Sequence, residues 1–288
     1  MHKIISNYRD NDNLRNSFNE LAKKTFGLDF EDWYQNGFWT EKYNPYSIII
    51  DDKIVANVSV NITNMMWKGR ILNLLQLGTV MTDESYRNQG LIREIMEAIE
   101  IDYKDKTDGM YLFASDSVVD FYPKFGFAAA NQYQFSKAAA FSCPDRMAQI
   151  PMNCEADWEI IQKKMKTNCQ TSDFKMVDNV ELYMFYLTKF MQQNVFYDKE
   201  TEAYVIAELE EGNLFVHEIF SEEGVPMEDV IQAFGSEIKR VTLGFTPKEK
   251  DGFVCNLLEE EDCTLFVKGE IFGDLRKEQL MFPTLAHA

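Results

Sequence analysis

The sequence predicts a mixed α/β chain, an α+β mixed sheet flanked by helices, followed by a second, smaller α+β unit. Three observations carry this. Strand-like runs such as "YSIIIDDKIVANVSVNIT" and the wholly apolar "GMYLFAS" alternate with helix-periodic stretches such as "LIREIMEAIEIDYK". The chain has 288 residues, 45% of them hydrophobic and 14% aromatic, enough for one large core or two modest ones. Charge also shifts along the chain. Residues 1–140 carry 15 Lys/Arg against 19 Asp/Glu, and the remainder carries 14 against 28.

A short strand is expected near Lys3–Tyr8, followed by a helix over Leu14–Thr25. That helix carries Leu14, Phe18, Leu21 and Ala22 on one face and Asp12 or Asn13 as its cap. The aromatic stretch "FEDWYQNGFW" reads as a second helical piece stopped by Gly37. Two strands joined by a tight turn at Asp51-Asp52 follow, then a longer strand from Ile71 to Thr82. A helix over Leu91–Lys104 places Ile92, Ile95, Met96, Ile99 and Tyr103 on one stripe. "GMYLFAS" is a buried strand, "VVDFYPKFGF" a short helix ended by Gly126, and "AAANQYQFSKAAAF" the last strands of the first unit.

The polar, proline-bearing "SCPDRMAQIPMNCEAD" divides the chain into 1–141, a linker at 142–155, and an acidic unit at 156–288. The second unit has helices "EADWEIIQKKMK" and "VELYMFYLTKFMQQN", then a hairpin turning at Gly212-Asn213. A helix "PMEDVIQAF" and strands "RVTLGF" and "CTLFVKG" complete it. This order loosely repeats the first unit and suggests an internal duplication.

A formal charge of −18 excludes sequence-independent nucleic-acid binding and disfavours anionic lipid. The five cysteines form no C-x-x-C pair and the three histidines lack metal-ligand spacing, so neither a disulfide framework nor a metal is expected. The charged N-terminus lacks a signal-peptide h-region and no apolar run reaches membrane-spanning length, so a cytoplasmic protein is expected.

One stretch carries chemistry: "TVMTDESYRNQGLIREIMEAIE", Thr79 to Glu100. A strand feeds a helix through a glycine-containing bend, so unpaired backbone N–H groups and the positive helix end converge on one point. Such a bend is an anion site, with Arg87 and Gln89 as further donors and Gly90 allowing close approach. A P-loop and a Rossmann fingerprint are both absent, whereas Arg87-Asn88-Gln89-Gly90 fits the first four positions of [QR]-x-x-G-x-[GA].

On these residues the chain resembles the GNAT superfamily of acyl-CoA N-acyltransferases. Val80, Thr82, Tyr86, Arg87 and Gly90 match that family's motif A, with Glu84 in place of proline and Ile92 in place of a second small residue. "ASDSVVDFYPKFGF" resembles motif B, where Tyr122, Gly126 and Phe127 align. The resemblance implies a GNAT fold with a central mixed sheet and acetyl-CoA as co-substrate. It implies that Arg87, Asn88, Gln89, Gly90, Leu91 and Ile92 hold the CoA pyrophosphate and that Val80, Met81 and Thr82 pair with the pantetheine arm. Tyr122 would protonate the departing thiolate, and an N–H near Met81–Thr82 would meet the oxyanion.

The implied activity is N-acetylation of a primary amine on a small molecule or protein. The alternative is a non-catalytic CoA-binding or regulatory module, because Gln76 stands where some members carry a catalytic Glu. Asp83, Glu84, Asp116 and Asp120 read as caps or solvated charges. In the related enhanced-intracellular-survival acetyltransferases a terminal carboxylate reaches the site, and the apolar ending "MFPTLAHA" would suit that. Trp33, Tyr34, Phe38 and Trp39 could floor the acceptor pocket, suggesting an aromatic or polyamine-like amine. In the second unit "SEEGVPMEDV" places Glu222, Glu223, Glu228 and Asp229 where a second phosphate bend would lie. That unit, read as a degenerate GNAT-like repeat, would close the acceptor pocket or mediate association, a homodimer included.

Overall fold

The structure is a computed structural model describing residues 2–142, 145–167, 171–222 and 224–287. In the first part of the chain the strands are β1 (Ile4–Ile5), β2 (Tyr43–Ile50), β3 (Lys53–Trp67), β4 (Arg70–Thr82), β5 (Gly109–Ala114) and β6 (Ala128–Ala129). Its helices are α1 (Asp12–Phe26), α2 (Glu31–Gln35) and α3 (Leu91–Tyr103). The chain continues through β7 (Tyr133–Ala138), β8 (Ala148–Gln149), α4 (Glu155–Thr167), β9 (Ser172–Val177), α5 (Val180–Lys189) and β10 (Val195–Asp198). It ends with β11 (Ala203–Glu210), β12 (Asn213–Phe220), α6 (Met227–Gln232), β13 (Arg240–Leu243), β14 (Thr246–Pro247), β15 (Val254–Leu257), β16 (Thr264–Lys268) and α7 (Ile271–Leu275).

Long antiparallel strands dominate the first sheet because its turns are tight and left-handed. Asp51 and Asp52 sit at φ 49° and 61°, and Lys68 and Gly69 at 48° and 78°, the signs that two-residue hairpins require. β3 pairs with β2 on one side and with β4 on the other. α3 then carries the chain across, and β5 returns parallel to β4. Leu91, Ile95, Met96 and Ile99 of α3 pack on one face of the sheet with Val58, Val60, Leu75, Leu77 and Leu112. Ile95 and Ile99 are fully buried, each contributing about 2 kcal/mol. The other face is covered by α1, α2 and α5, with Phe18, Phe30, Trp33 and Phe185 in one cluster.

The helix starts differ slightly from expectation. Asn11, just before the expected Asp12 or Asn13, caps α1 by accepting the Leu14 N–H at 3.2 Å. The "FEDWYQNGFW" helix is only the five residues of α2, and "VVDFYPKFGF" holds a single 3-10 turn, Tyr122–Phe125, which Pro123 keeps short and Gly126 ends; another, Asp116–Val118, just precedes it.

The largest departure from the sequence reading concerns the unit boundaries. The first sheet runs β1-β2-β3-β4-β5-β16-β6, so a strand from the end of the chain sits between β5 and β6. β9 pairs with the far end of β3. The second sheet runs β15-β7-β13-β12-β11-β10-β8, so β7 of the first 141 residues lies between β13 and β15. Each sheet has received a strand from the other half. The segment 142–155 also contributes β8 to the second sheet, although Cys143 and Pro144 lie outside the described residues. β16 is a continuous apolar run, Leu265 to Val267, buried on both faces, and sequence pattern carries no address for a partner so far away.

The two sheets repeat a motif. β11-β12 antiparallel, α6, then β13 parallel to β12 mirrors β3-β4, α3, β5. In the second copy the first turn of the helix is acidic, with Glu228 and Asp229. Glu228 meets Lys137 and Gln232, and Glu222 meets Lys164 at 3.4 Å, while Glu223 lies outside the described residues. Among the described residues no helix is long and apolar enough to cross a membrane.

Candidate active site

β4 and β5 are hydrogen-bonded only over Leu74–Gln76 and Gly109–Tyr111. Beyond that point β4 runs on to Thr82 and β5 to Ala114 without pairing, so the sheet opens like a fork. A cleft of about 970 Å³ occupies the opening. The divergence has a local cause. Thr79 and Val80 together face Val58 of β3, a bulge with Thr79 at φ 46°. A β-branched residue seldom adopts this conformation, and neighbours hold it. The Asn57 Nδ2 donates to the Thr79 carbonyl at 2.9 Å, and the Tyr43 hydroxyl meets the Thr79 hydroxyl at 2.7 Å.

At one end of the cleft the bend between β4 and α3 presents its amides. Asn88 and Gly90 are both left-handed, at φ 61° and 78°, flanking Gln89. The first intrahelical bond of α3 runs from the Glu94 N–H to the Gly90 carbonyl, so the N–H groups of Leu91 to Arg93 have no helical acceptor. A Cβ at Gly90 would meet no atom within 4 Å. The glycine is therefore required by its backbone conformation, not by crowding from neighbouring protein atoms. Arg87 is 56% exposed, with Glu84 at 3.8 Å, and its guanidinium donates to the Thr82 carbonyl at 3.4 Å. Arg93 and Lys124 also line this end. The arrangement suits a polyanion such as the CoA pyrophosphate: two left-handed residues turn successive amides inward, a helix end faces them, and three cations stand by.

Midway along the cleft lies Tyr122, which is 6% exposed. Its ring packs on Phe121, Phe127 and Phe266. Burial pushes the phenol up to about 12, so it stays protonated across the neutral range. Among the described residues its hydroxyl makes no hydrogen bond.

The other end is aromatic. Phe30, Trp33, Tyr43 and Phe185 form a wall in which Phe30–Phe185 and Trp33–Tyr43 centroids lie 5.4 and 5.3 Å apart. Leu28 and Leu182 complete it. α5 thus closes the cleft from the second half of the chain.

Val80, Met81, Thr82, Arg87, Asn88, Gln89, Gly90, Leu91, Ile92 and Tyr122 all line this one cleft. Of the aromatic candidates only Trp33 does so. Phe38 packs on Trp158, Trp39 is buried with Phe18, and Tyr34 lies under the Arg15 guanidinium. Gln76 is also outside the cleft, in a buried amide network with Asn61. Asp83 caps Ser85 and pairs with Lys24 at 3.0 Å, as a cap should, and the Ser85 amide holds its carboxyl below the usual range. Sequence reasoning missed Tyr43, Phe30 and Phe185, which reach the cleft through tertiary packing alone, and Arg93, whose position one turn into α3 was a usable signal. The chain's last described residue, His287, stacks on Phe113 at the cleft with its centroid 3.6 Å away, and the Ala288 carboxylate lies outside the described residues.

A sequence model described as the acetyltransferase (GNAT) domain matches residues 11–130. These residues are a GNAT acetyltransferase domain. They span β2 to β6 and contain the bend, the fork and Tyr122. Solved structures share the GNAT fold over nearly the whole chain. A probable N-acyltransferase from Enterococcus faecalis V583 is 15% identical with a TM-score of 0.64, covering 93% of this chain and 72% of that one. Eis1 from Mycobacterium abscessus is 11% identical at 0.57, covering 92% and 73%. A GCN5-related N-acetyltransferase from Kribbella flavida is 14% identical at 0.56, covering 93% and 71%. No curated protein sequence matches the chain. The likeness therefore extends through the second sheet as fold, while the sequence match is confined to the GNAT domain. Among the described residues no group of three or more His, Cys, Asp or Glu could hold a metal.

Proposed function

We propose that the chain is an N-acetyltransferase that takes its acetyl group from acetyl-CoA and delivers it to a primary amine by direct attack. The observation that carries this reading is the alignment of three features along one cleft: the amide-lined bend, the unpaired edge of β4, and the buried protonated Tyr122.

In this reading the amides of Asn88 to Ile92, with Arg87 and Arg93, bind the pyrophosphate. The free edge of β4 from Val80 to Thr82 takes the pantetheine arm as an added strand, and a backbone N–H near Met81–Thr82 meets the developing oxyanion. Fixing the amine against the thioester supplies much of the remaining rate. Tyr122 gives its phenolic proton to the departing sulfur as the nitrogen lone pair bonds the acyl carbon and the carbon–sulfur bond breaks. The proton shed by nitrogen restores the hydroxyl, so the residue ends as it began.

A second reading, a CoA-binding module without catalysis, is favoured by one observation: no Asp or Glu among the described residues lines the cleft. Free-thiol release from acetyl-CoA, measured against an amine panel, separates the two. Turnover with any amine supports the enzyme. Calorimetric CoA binding with no thiol release from the whole panel supports the module.

A further inference from the structure

The acceptor end of the cleft has a composition that restricts what can enter it. Phe30, Trp33, Tyr43, Phe185, Leu28 and Leu182 supply its walls. None of the acids nearest in sequence to this wall belongs to its lining: Asp29, between Leu28 and Phe30, accepts the Glu31 N–H at 2.8 Å, and Asp32, beside Trp33, is exposed. Glu31, two residues before Trp33, is held by Arg15 at 2.8 Å, and that guanidinium pulls its carboxyl below the usual range. Glu181, beside Leu182, lies 3.4 Å from Lys42, and its backbone carbonyl accepts the Trp33 indole N–H at 3.0 Å. Neither carboxylate faces the cleft. The chain is strongly acidic, with 47 Asp and Glu in all, yet the described lining has none.

An alkylammonium entering such a wall loses hydration without gaining a counter-ion. Cation–π attraction from the rings recovers only part of that loss. The uncharged form of an apolar amine loses little and gains burial of its carbon skeleton. It also needs no general base to strip an ammonium proton, so the apolar wall and the lack of Asp and Glu in the described lining have a single explanation.

We infer that the acceptor is an apolar, aromatic or arylalkyl, primary amine captured from solution as its free base, in preference to a polyamine, an aminoglycoside-like polycation or a lysine side chain. This inference rests on the N-acetyltransferase reading above.

The test uses the full chain and initial rates of thiol release from acetyl-CoA. Benzylamine and p-anisidine differ widely in basicity, so the inflection of log kcat/KM against pH separates the two cases. Free-base capture moves the inflection with each amine's own pKa, and Tyr122 at about 12 does not intrude. The same arrangement predicts at least tenfold higher kcat/KM for benzylamine than for spermidine at equal free-base concentration. Leu28→Glu, at a half-buried position of the wall, should reverse that order by improving spermidine at least tenfold. An inflection common to both amines would overturn the inference, because a protein base would then control the rate. Equal or better use of spermidine by the unaltered chain would overturn it as well. So would a preference for octanoyl-CoA over acetyl-CoA combined with indifference to the amine, because the wall would then be an acyl pocket. Failure of every amine despite CoA binding would instead sink the N-acetyltransferase reading beneath it, and that result differs visibly from the other three.

Discussion

Replacing Tyr122 by Phe removes one oxygen from a buried ring and leaves its packing on Phe121, Phe127 and Phe266 in place. The hydroxyl makes no hydrogen bond among the described residues, so its loss should change folding stability by less than about 0.5 kcal/mol. A positioned proton donor contributes on the order of 10²-fold to rate, or about 2.7 kcal/mol of barrier. The two effects are therefore separable. Stopped assays of thiol release should show kcat about 100-fold lower, while CoA affinity by calorimetry stays within twofold. The phenol is raised above its ordinary value of 10 to about 12, so the native state holds this proton more tightly than the unfolded chain. Its contribution to stability is fully present below pH 10 and fades as pH rises toward 12. As an acid it should support turnover without loss up to at least pH 9.5. An unchanged kcat in Tyr122→Phe would refute the role, and an alkaline fall in rate centred near pH 8 in the parent but absent from the variant would refute the raised phenol.

Three further outcomes are expected. Gly90→Ala forces a Cβ into a left-handed backbone with free space around it, so it should cost about 1–2 kcal/mol and lower Tm by about 3–6 °C, with weaker CoA binding if the bend relaxes; a Tm unchanged within 1 °C would show that the bend is not held as described. Glu31→Gln breaks the charged pair with nearly buried Arg15 and should cost about 2 kcal/mol by urea denaturation. Because the Glu31 carboxyl is lowered, the parent's advantage over this variant should be present above about pH 4.5 and vanish as pH falls below it, and a gap that persists in acid would contradict the pairing. A chain ending before Thr264 leaves β5 without its neighbour and should lose cooperative thermal unfolding and CoA binding together; retained CoA binding would show that the fork stands without β16.

What the sequence disclosed and withheld follows contact distance. The bend was legible because its determinants, from Thr79 to Ile92, lie within one strand–turn–helix and act through local backbone geometry. Tyr122 was legible for the same reason, through the glycine that stops its turn. The acceptor wall was not. Trp33 and Trp39 belong to one short stretch and stack with ring centroids 6.0 Å apart, yet only Trp33 lines the cleft, a distinction that local pattern does not carry. Tyr43 reaches Thr79 across 36 positions and Phe185 reaches Phe30 across half the chain, distances over which periodicity says nothing. The strand exchange was hidden more deeply, because nothing in the short runs of β7 and β16 names a sheet partner more than a hundred residues away.

That exchange sets an order in time. During synthesis the bend, the fork and Tyr122 have all emerged while the strand that must lie against β5 is still more than a hundred residues from being made. Until Thr264–Lys268 arrive, β5 offers a bare row of amides and carbonyls, and β7 waits for a β13 that does not yet exist. The nascent GNAT domain is thus an open-edged intermediate exposed to mispairing, and a half-gene product would keep the catalytic residues without the means to close the sheet that holds them. Neither sheet of this chain is complete without a strand from the other half.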